Sequence, residues 1–226
     1  MNRATGTVRE RPYAGKPPEL RRMERRTRLH AAGLHLFGTR GYSGVTIPEI
    51  CAAAQVTTRH FYDEFDGREA LLRTVYDGIV EDTRRSVLLS LASAGDDPKE
   101  RTRVALDAFL HSYLDDPRRG RVACLEAVGV SAALEEHRRS VIHEFAAVIE
   151  HESEKQASSG LIPRRNLRLG SIAMAGATNE LVIEWLTMEN RPSIADLAEE
   201  LLLLFLSVLE GARPAFAAIR GPSAVD

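Results

Sequence analysis

Apolar residues recur along this chain with the period of a helix, and strict alternation is never sustained. Leu29, Ala32, Gly33, Leu36 and Phe37 fall at i, i+3, i+4, i+7 and i+8, one face of a helix predicted over 19–40. Gly41 stops it. A second helix opens at Thr46: Thr46 and Glu49 have capping-box spacing, and Pro48 fits the first turn, where its missing N–H costs nothing. Ile47, Ile50, Cys51 and Ala54 give it an apolar face. Gln55, Val56 and Thr57 form a turn, with Thr57 as the next N-cap, and Phe61 and Phe65 face inward four residues apart. Gly67 ends that short helix, and a long fourth one opens near Arg68, with Leu71, Leu72, Val75 and Ile79 on its buried side. Further helices fit 98–115, 117–129, 132–157, 166–189 and 194–211, separated by Gly, Pro, Asp and Ser breaks that include Pro163. The predicted class is all-α, with an N-terminal three-helix helix-turn-helix unit and a larger helical domain. The expected division is a flexible basic arm over 1–18, the first domain over 19–67, the second over 68–213 and a tail over 214–226.

Charge sharpens that division. The chain carries −2 overall, but residues 1–72 hold +4 and the remainder −6. A basic front and an acidic back suggest that the front meets a polyanion. No apolar run approaches the roughly 18 residues a membrane span needs. The first residues show no apolar signal region, so a cytoplasmic location and no membrane partner are expected. Cys51 and Cys124 read as small buried hydrophobes.

The interval 46–65 has the size of a helix-turn-helix, whose second helix enters the major groove while the first lies across the backbone. Thr57 offers a helix N-terminus to a phosphate. Thr58, Arg59 and His60 stand in the first turn, where side chains meet base edges; arginine can fork onto guanine O6 and N7. The Tyr62 hydroxyl and Arg68 can bond the DNA backbone. With Thr46, these seven residues are the candidate DNA-binding set.

The run 37–72 resembles the N-terminal domain of the TetR family, the tetracycline-repressor-like regulators. The family's Gly-Tyr corresponds to Gly41-Tyr42, its helix-opening threonine to Thr46, its Val-Ser to Val56-Thr57, its tyrosine to Tyr62, its phenylalanine to Phe65 and its lysine to Arg68. The all-helical remainder is similar in layout to the family's effector-binding and dimerisation domain. Three features depart from the pattern. Gln55 occupies the usual turn glycine, where a left-handed backbone would cost roughly 1–2 kcal/mol. Pro48 replaces alanine. Asp63 and Glu64 bring carboxylates near the expected phosphates and are candidates to orient Arg59 or Arg68.

The resemblance implies a homodimer joined by the last two long helices. Ala173, Gly176 and Ala177 form a small-residue stripe, and Leu197, Leu201, Leu204 and Val208 form an apolar one; either stripe could instead face the subunit's own core. Candidate pocket residues are Phe109, His111, Tyr113, Glu126 and His143, on helices that resemble pocket-lining ones, with Asn179, Glu180 and Trp185 on the most apolar helix. His143-Glu144 and His151-Glu152 each begin a zinc-protease pattern without its second histidine, so no metal and no cofactor are expected. No catalytic motif is present, and the chain is read as no enzyme.

Together these features describe a ligand-responsive transcriptional regulator: a repressor binding a palindromic double-stranded operator as a homodimer, released by a small-molecule effector. Two alternatives stay open. One is an activator, or a ligand-independent regulator, of the same fold; the other is an all-helical enzyme with an accessory helix-turn-helix.

Overall fold

The computed structural model describes residues 17–160, 162 and 166–220, with side chains through 208. Residues 1–16, which make up nearly all of the expected arm, lie outside it, as do Pro163 and residues 221–226. Among the described residues there is no strand. The order is α1 (Pro18–Arg40), α2 (Ile47–Ala54), α3 (Thr58–Tyr62), α4 (Arg68–Ser93), α5 (Pro98–Leu114), α6 (Pro117–Arg121), α7 (Ala132–Ser158), α8 (Arg168–Thr187) and α9 (Ile194–Arg220). The all-α class is therefore the observed one. Two elements differ from expectation. The helix predicted over 117–129 is α6 followed without a break by a π-helical turn, Val122–Glu126. The last helix continues to Arg220, past the predicted end at 211.

The caps explain most of the boundaries. Thr46 and Glu49 form the expected box: the Thr46 N–H and hydroxyl both donate to Glu49 Oε2, at 2.8 and 2.7 Å. Arg40 adds an ion pair to Glu49 at 2.8 Å. The Thr46 hydrogen bonds come first, then Arg40, in pulling the Glu49 carboxyl down to about 2. Asp97, Asp116 and Ser131 cap α5, α6 and α7 by accepting backbone N–H groups.

The first three helices close over Leu29, Phe37, Val45, Ile50, Phe61 and Phe65, all buried. α4 carries that core onward through Leu71, Leu72, Val75 and Ile79 to Leu110, Val122, Leu134 and Val182. One apolar cluster thus runs from α1 to Phe205 on α9. The core has no gap at 67–68, because α4 belongs to both halves.

α1 also meets α6 directly. A Cβ on Gly38 would lie 2.5 Å from the Cβ of Arg118, so only glycine permits this approach. Gly41, at φ +81°, turns the chain beneath Glu126. Glu126 accepts the Tyr42 N–H at 2.8 Å and Arg121 Nε at 3.1 Å. The end of the π-helical turn is therefore latched onto the turn that leads into α2.

Candidate functional site

The turn between α2 and α3 adopts the conformation that its glutamine disfavours. Gln55 is left-handed, at φ 53° and ψ 48°, and is the one non-glycine with positive φ among the described residues. Its N–H and that of Val56 close α2 on Ala52 and Cys51 carbonyls. Arg28 of α1 holds the Gln55 carbonyl at 3.3 Å, which helps fix a strained corner. The Thr57 hydroxyl then caps α3, accepting the His60 N–H at 3.3 Å and lying 3.0 Å from His60 Nδ1.

α3 has only five residues, so its dipole is small and its orientation comes from packing. Phe61 is completely buried, 5.7 Å from Phe65 and edge-on to Tyr62. Burying Phe61 turns Thr57, Thr58, Arg59, His60 and Tyr62 outward; all are exposed, Tyr62 by 55%. The Arg59 guanidinium has no ion-pair partner among the described residues. Thr46 is exposed as well, although its hydroxyl is committed to Glu49.

Arg68 sits differently from its neighbours in the candidate set. It is half-buried, donates through Nη1 to the Val45 carbonyl and lies 4.3 Å above the Tyr42 ring. Its charge braces the entry to α2 and is not presented to solvent as a free fork. Asp63 and Glu64 orient neither Arg59 nor Arg68. Glu64 faces back to α1, where Arg22 Nε donates to both its oxygens at 3.1 and 3.0 Å and Arg25 stands at 3.7 Å. With a side chain only 1% exposed, Glu64 is an internal tie.

That tie fastens the start of α1 to the turn that follows α3. Arg21, Arg22, Arg26 and Arg28 are exposed on α1, and Arg26 stacks 4.9 Å over the Phe65 ring. The sequence reading did not single out these arginines. Their density between 21 and 28 was the available signal.

The second half holds a cavity of about 170 Å³ between α4, α5, α7, α8 and α9. Of the candidate pocket residues, Phe109, Tyr113 and Asn179 line it. The other five are placed elsewhere. His111 is exposed and pairs with Asp115 at 2.8 Å. Glu126 is the latch on Tyr42. His143 lies on α7 off the face that lines the cavity, and Glu180 is exposed. Trp185 is buried beyond the cavity, its Nε1 donating to the Pro192 carbonyl at 2.8 Å with Arg191 stacked 5.1 Å over its ring.

The reading missed one whole face of α7: Arg138, Val141, Phe145, Ile149, Glu152 and Gln156 all line the cavity. Their spacing by three and four was visible, with charges in register at both ends of an apolar stripe. Tyr76 and Met174 face the same space from α4 and α8. Cys51 and Cys124 are buried and free, and burial raises both thiols, Cys124 to about 12. Among the described residues no group of three or more His, Cys, Asp or Glu could hold a metal. None of the described helices is long and apolar enough to cross a membrane.

Comparison with known proteins agrees with this arrangement. Residues 29–75 match the model of the bacterial regulatory proteins of the tetR family. The HTH-type transcriptional repressor DhaR of Mycobacterium sp. (strain GP1) is 33% identical over 87 residues, 38% of this chain and 44% of DhaR. The match thus spans less than half the length of that relative. Over the whole fold, the chain is similar to FadR from Bacillus subtilis, solved with stearoyl-CoA: TM-score 0.72, 17% identity, 80% of this chain and 97% of that one. It is also similar to AibR, solved with isovaleryl coenzyme A and operator DNA: TM-score 0.63, 17% identity, 80% and 97% covered. The family is one of regulators and not of enzymes. It is thus residues 29–75, which carry α2, α3 and the turn between them, that are similar to the tetR family of bacterial regulatory proteins.

Proposed function

We propose that the chain is a ligand-responsive repressor that binds a pseudo-palindromic operator as a homodimer. The carrying observation is the exposed row on α3, Thr57, Thr58, Arg59, His60 and Tyr62, held outward by a fully buried Phe61. Arg59, exposed in the first turn, reads base edges; Thr57, Thr58, His60 and Tyr62 supply hydroxyl and imidazole contacts; Thr46 approaches the flanking phosphates. Arg68 acts mainly through Val45 and Tyr42, setting the entry angle of α2. The arginines of α1 add a sequence-independent attraction.

A second copy joins through α8 and α9. Leu197 and Leu201 are taken by the chain's own core, but Leu169, Leu203, Leu204 and Val208 are exposed, Leu169 by 80%. Ala173 is exposed, and the space a Cβ on Gly176 would enter is open. Apolar surface of this kind supports association. Two α3 helices would then stand about 34–36 Å apart, or a multiple of that.

The cavity takes the effector, a reading supported by FadR with stearoyl-CoA and AibR with isovaleryl coenzyme A and operator DNA. Its wall includes Ala123 in the π-helical turn, three residues before Glu126, so a ligand that moves this turn loads the Tyr42 latch. A differential affinity of about 1–3 kcal/mol between the two states gives 5–150-fold coupling.

Fluorescence anisotropy with DNA from the chain's own promoter, against random duplex over a salt series, tests the core of this reading. Specific binding whose affinity falls steeply with salt is expected. Absence of salt-sensitive binding to any genomic fragment overturns it.

A further inference from the structure

We propose that the cavity is built for an amphipathic monocarboxylic acid, its apolar body lying along α5, α7 and α8 and its carboxylate on the open edge of Arg138. This rests on the reading of the cavity as an effector site. Two guanidinium groups line the chamber, and their states differ. Arg101 is engaged at all three nitrogens. Its Nε and Nη2 donate to Glu152 at 2.7 and 3.1 Å, and its Nη1 reaches the carbonyls of Leu91, Ala94 and Gly95. It closes one end of the cavity with its charge paired to Glu152 and its Nε–Nη2 fork occupied.

Arg138 lies at the other end of the α7 stripe, and its side chain is only 12% exposed. Nη1 donates to Glu135 Oε2 at 3.2 Å. Glu135 is itself 42% exposed, and its other oxygen accepts the Gly129 N–H, so it compensates Arg138 from the solvent side. Arg138 Nε is buried without a partner among the described residues. The Nε–Nη2 edge is the side-on fork that takes a carboxylate through two parallel bonds. A buried donor left unmet is costly, and in a regulator's cavity it marks where a ligand acceptor belongs.

Tyr76 and Tyr113 line the same chamber, and the Arg138 charge acts on both. Neither phenol hydroxyl has a hydrogen-bond partner among the described residues. Burial raises both phenols above their ordinary value, so they stay protonated and can donate to an anion. With Arg101 paired to Glu152, Arg138 is the one cation with an open fork among the described residues of the chamber wall, which suits a monoanion better than a doubly charged phosphate. Phe109, Val141, Phe145, Ile149 and Met174 supply the apolar wall.

The test is isothermal titration of the full, DNA-free chain with hexanoate, octanoate and decanoate and with the alcohols of the same length. Each acid should bind at least about tenfold more tightly than its alcohol. Arg138→Gln should reduce the acid to the level of the alcohol, and Arg138→Lys, which keeps charge but loses the fork, should fall between. Acids and alcohols binding alike, or acid affinity unchanged in Arg138→Gln, overturns the carboxylate assignment and leaves the effector site standing. Failure of every acid and alcohol to bind removes the effector reading too, while DNA binding remains a separate measurement. Should Arg138→Gln not fold, the acid–alcohol comparison in the unaltered chain and the Arg138→Lys variant decide.

Discussion

The exposed face of α3 and the chamber between α5, α7 and α8 use the same residue type in opposite ways. Arg59 is exposed and has no ion-pair partner among the described residues; a solvated charge there costs little and is free to meet a polyanion. Arg101 stands in an apolar chamber and is bonded through all three nitrogens. The difference follows from solvation: a buried charge must be paired, whereas an exposed one need not be. An open donor therefore says little on the surface and a great deal inside. By that standard the Nε of Arg138, in a cavity wall, is more informative than the exposed Arg21, Arg22, Arg26 and Arg28 of α1; the Nε of Arg25 on α1 is also buried and unmet among the described residues, but Arg25 is outside the cavity wall.

The largest effect should come from removing what holds the exposed face in position. Phe61→Ala should destabilise the protein by about 3–5 kcal/mol, read by urea denaturation, and abolish DNA binding with it. Next, Arg101→Ala should cost about 3 kcal/mol, because it leaves three carbonyls unmet and Glu152 held by Lys155 alone at the closed end of the chamber. The Glu152 carboxyl is raised by burial but lowered more by bonds from Arg101 and Lys155, so its net shift is downward. Its stabilising share is then complete above the ordinary carboxylate range and is lost as pH falls through the depressed value. The gap between Arg101→Ala and the unaltered chain should accordingly narrow in acid, and a gap constant with pH would refute the pairing as its cause.

Arg59→Ala tests the other side of the comparison. It should remove about 1–3 kcal/mol of discrimination between operator and mismatched duplex while leaving stability unchanged, measured by competition gel shifts. Equal loss on all sequences would reassign Arg59 to the phosphates. Gln55→Gly should stabilise by up to about 1 kcal/mol, since it relieves the left-handed backbone but adds freedom to the unfolded chain. Smallest is Glu49→Gln. Because its carboxyl titrates at about 2 when folded against 4.5 ordinarily, the cap's contribution is present above 4.5 and lost toward 2. The melting-temperature difference from the unaltered chain should close over that window.

Local chemistry made the first three helices legible from sequence. Thr46 with Glu49, Thr57 as an N-cap and Phe61 four residues before Phe65 are short-range signals, and each acts within one or two turns. Gln55 was legible even as a departure, for the turn demands a left-handed residue whatever its identity. Arg68 and Glu64 were not. Both lie close to the expected interface in sequence, yet their partners, Val45 and Tyr42 for one and Arg22 for the other, are 23 to 42 residues away. The pocket fared similarly. Phe109 and Tyr113 announce themselves as aromatics, whereas Glu126 is assigned by a contact 84 residues distant.

The amino-acid order by itself determined the helical class, the position of the turn and the outward row on α3, because periodicity and capping act over neighbouring residues. Tertiary structure alone decided which charges are spent and which remain open, since an arginine's state depends on acceptors brought near by folding. Arg59, Arg68, Arg101 and Arg138 are one residue type in the chain; packing makes them a free reader, a brace, a plug and an unfilled fork.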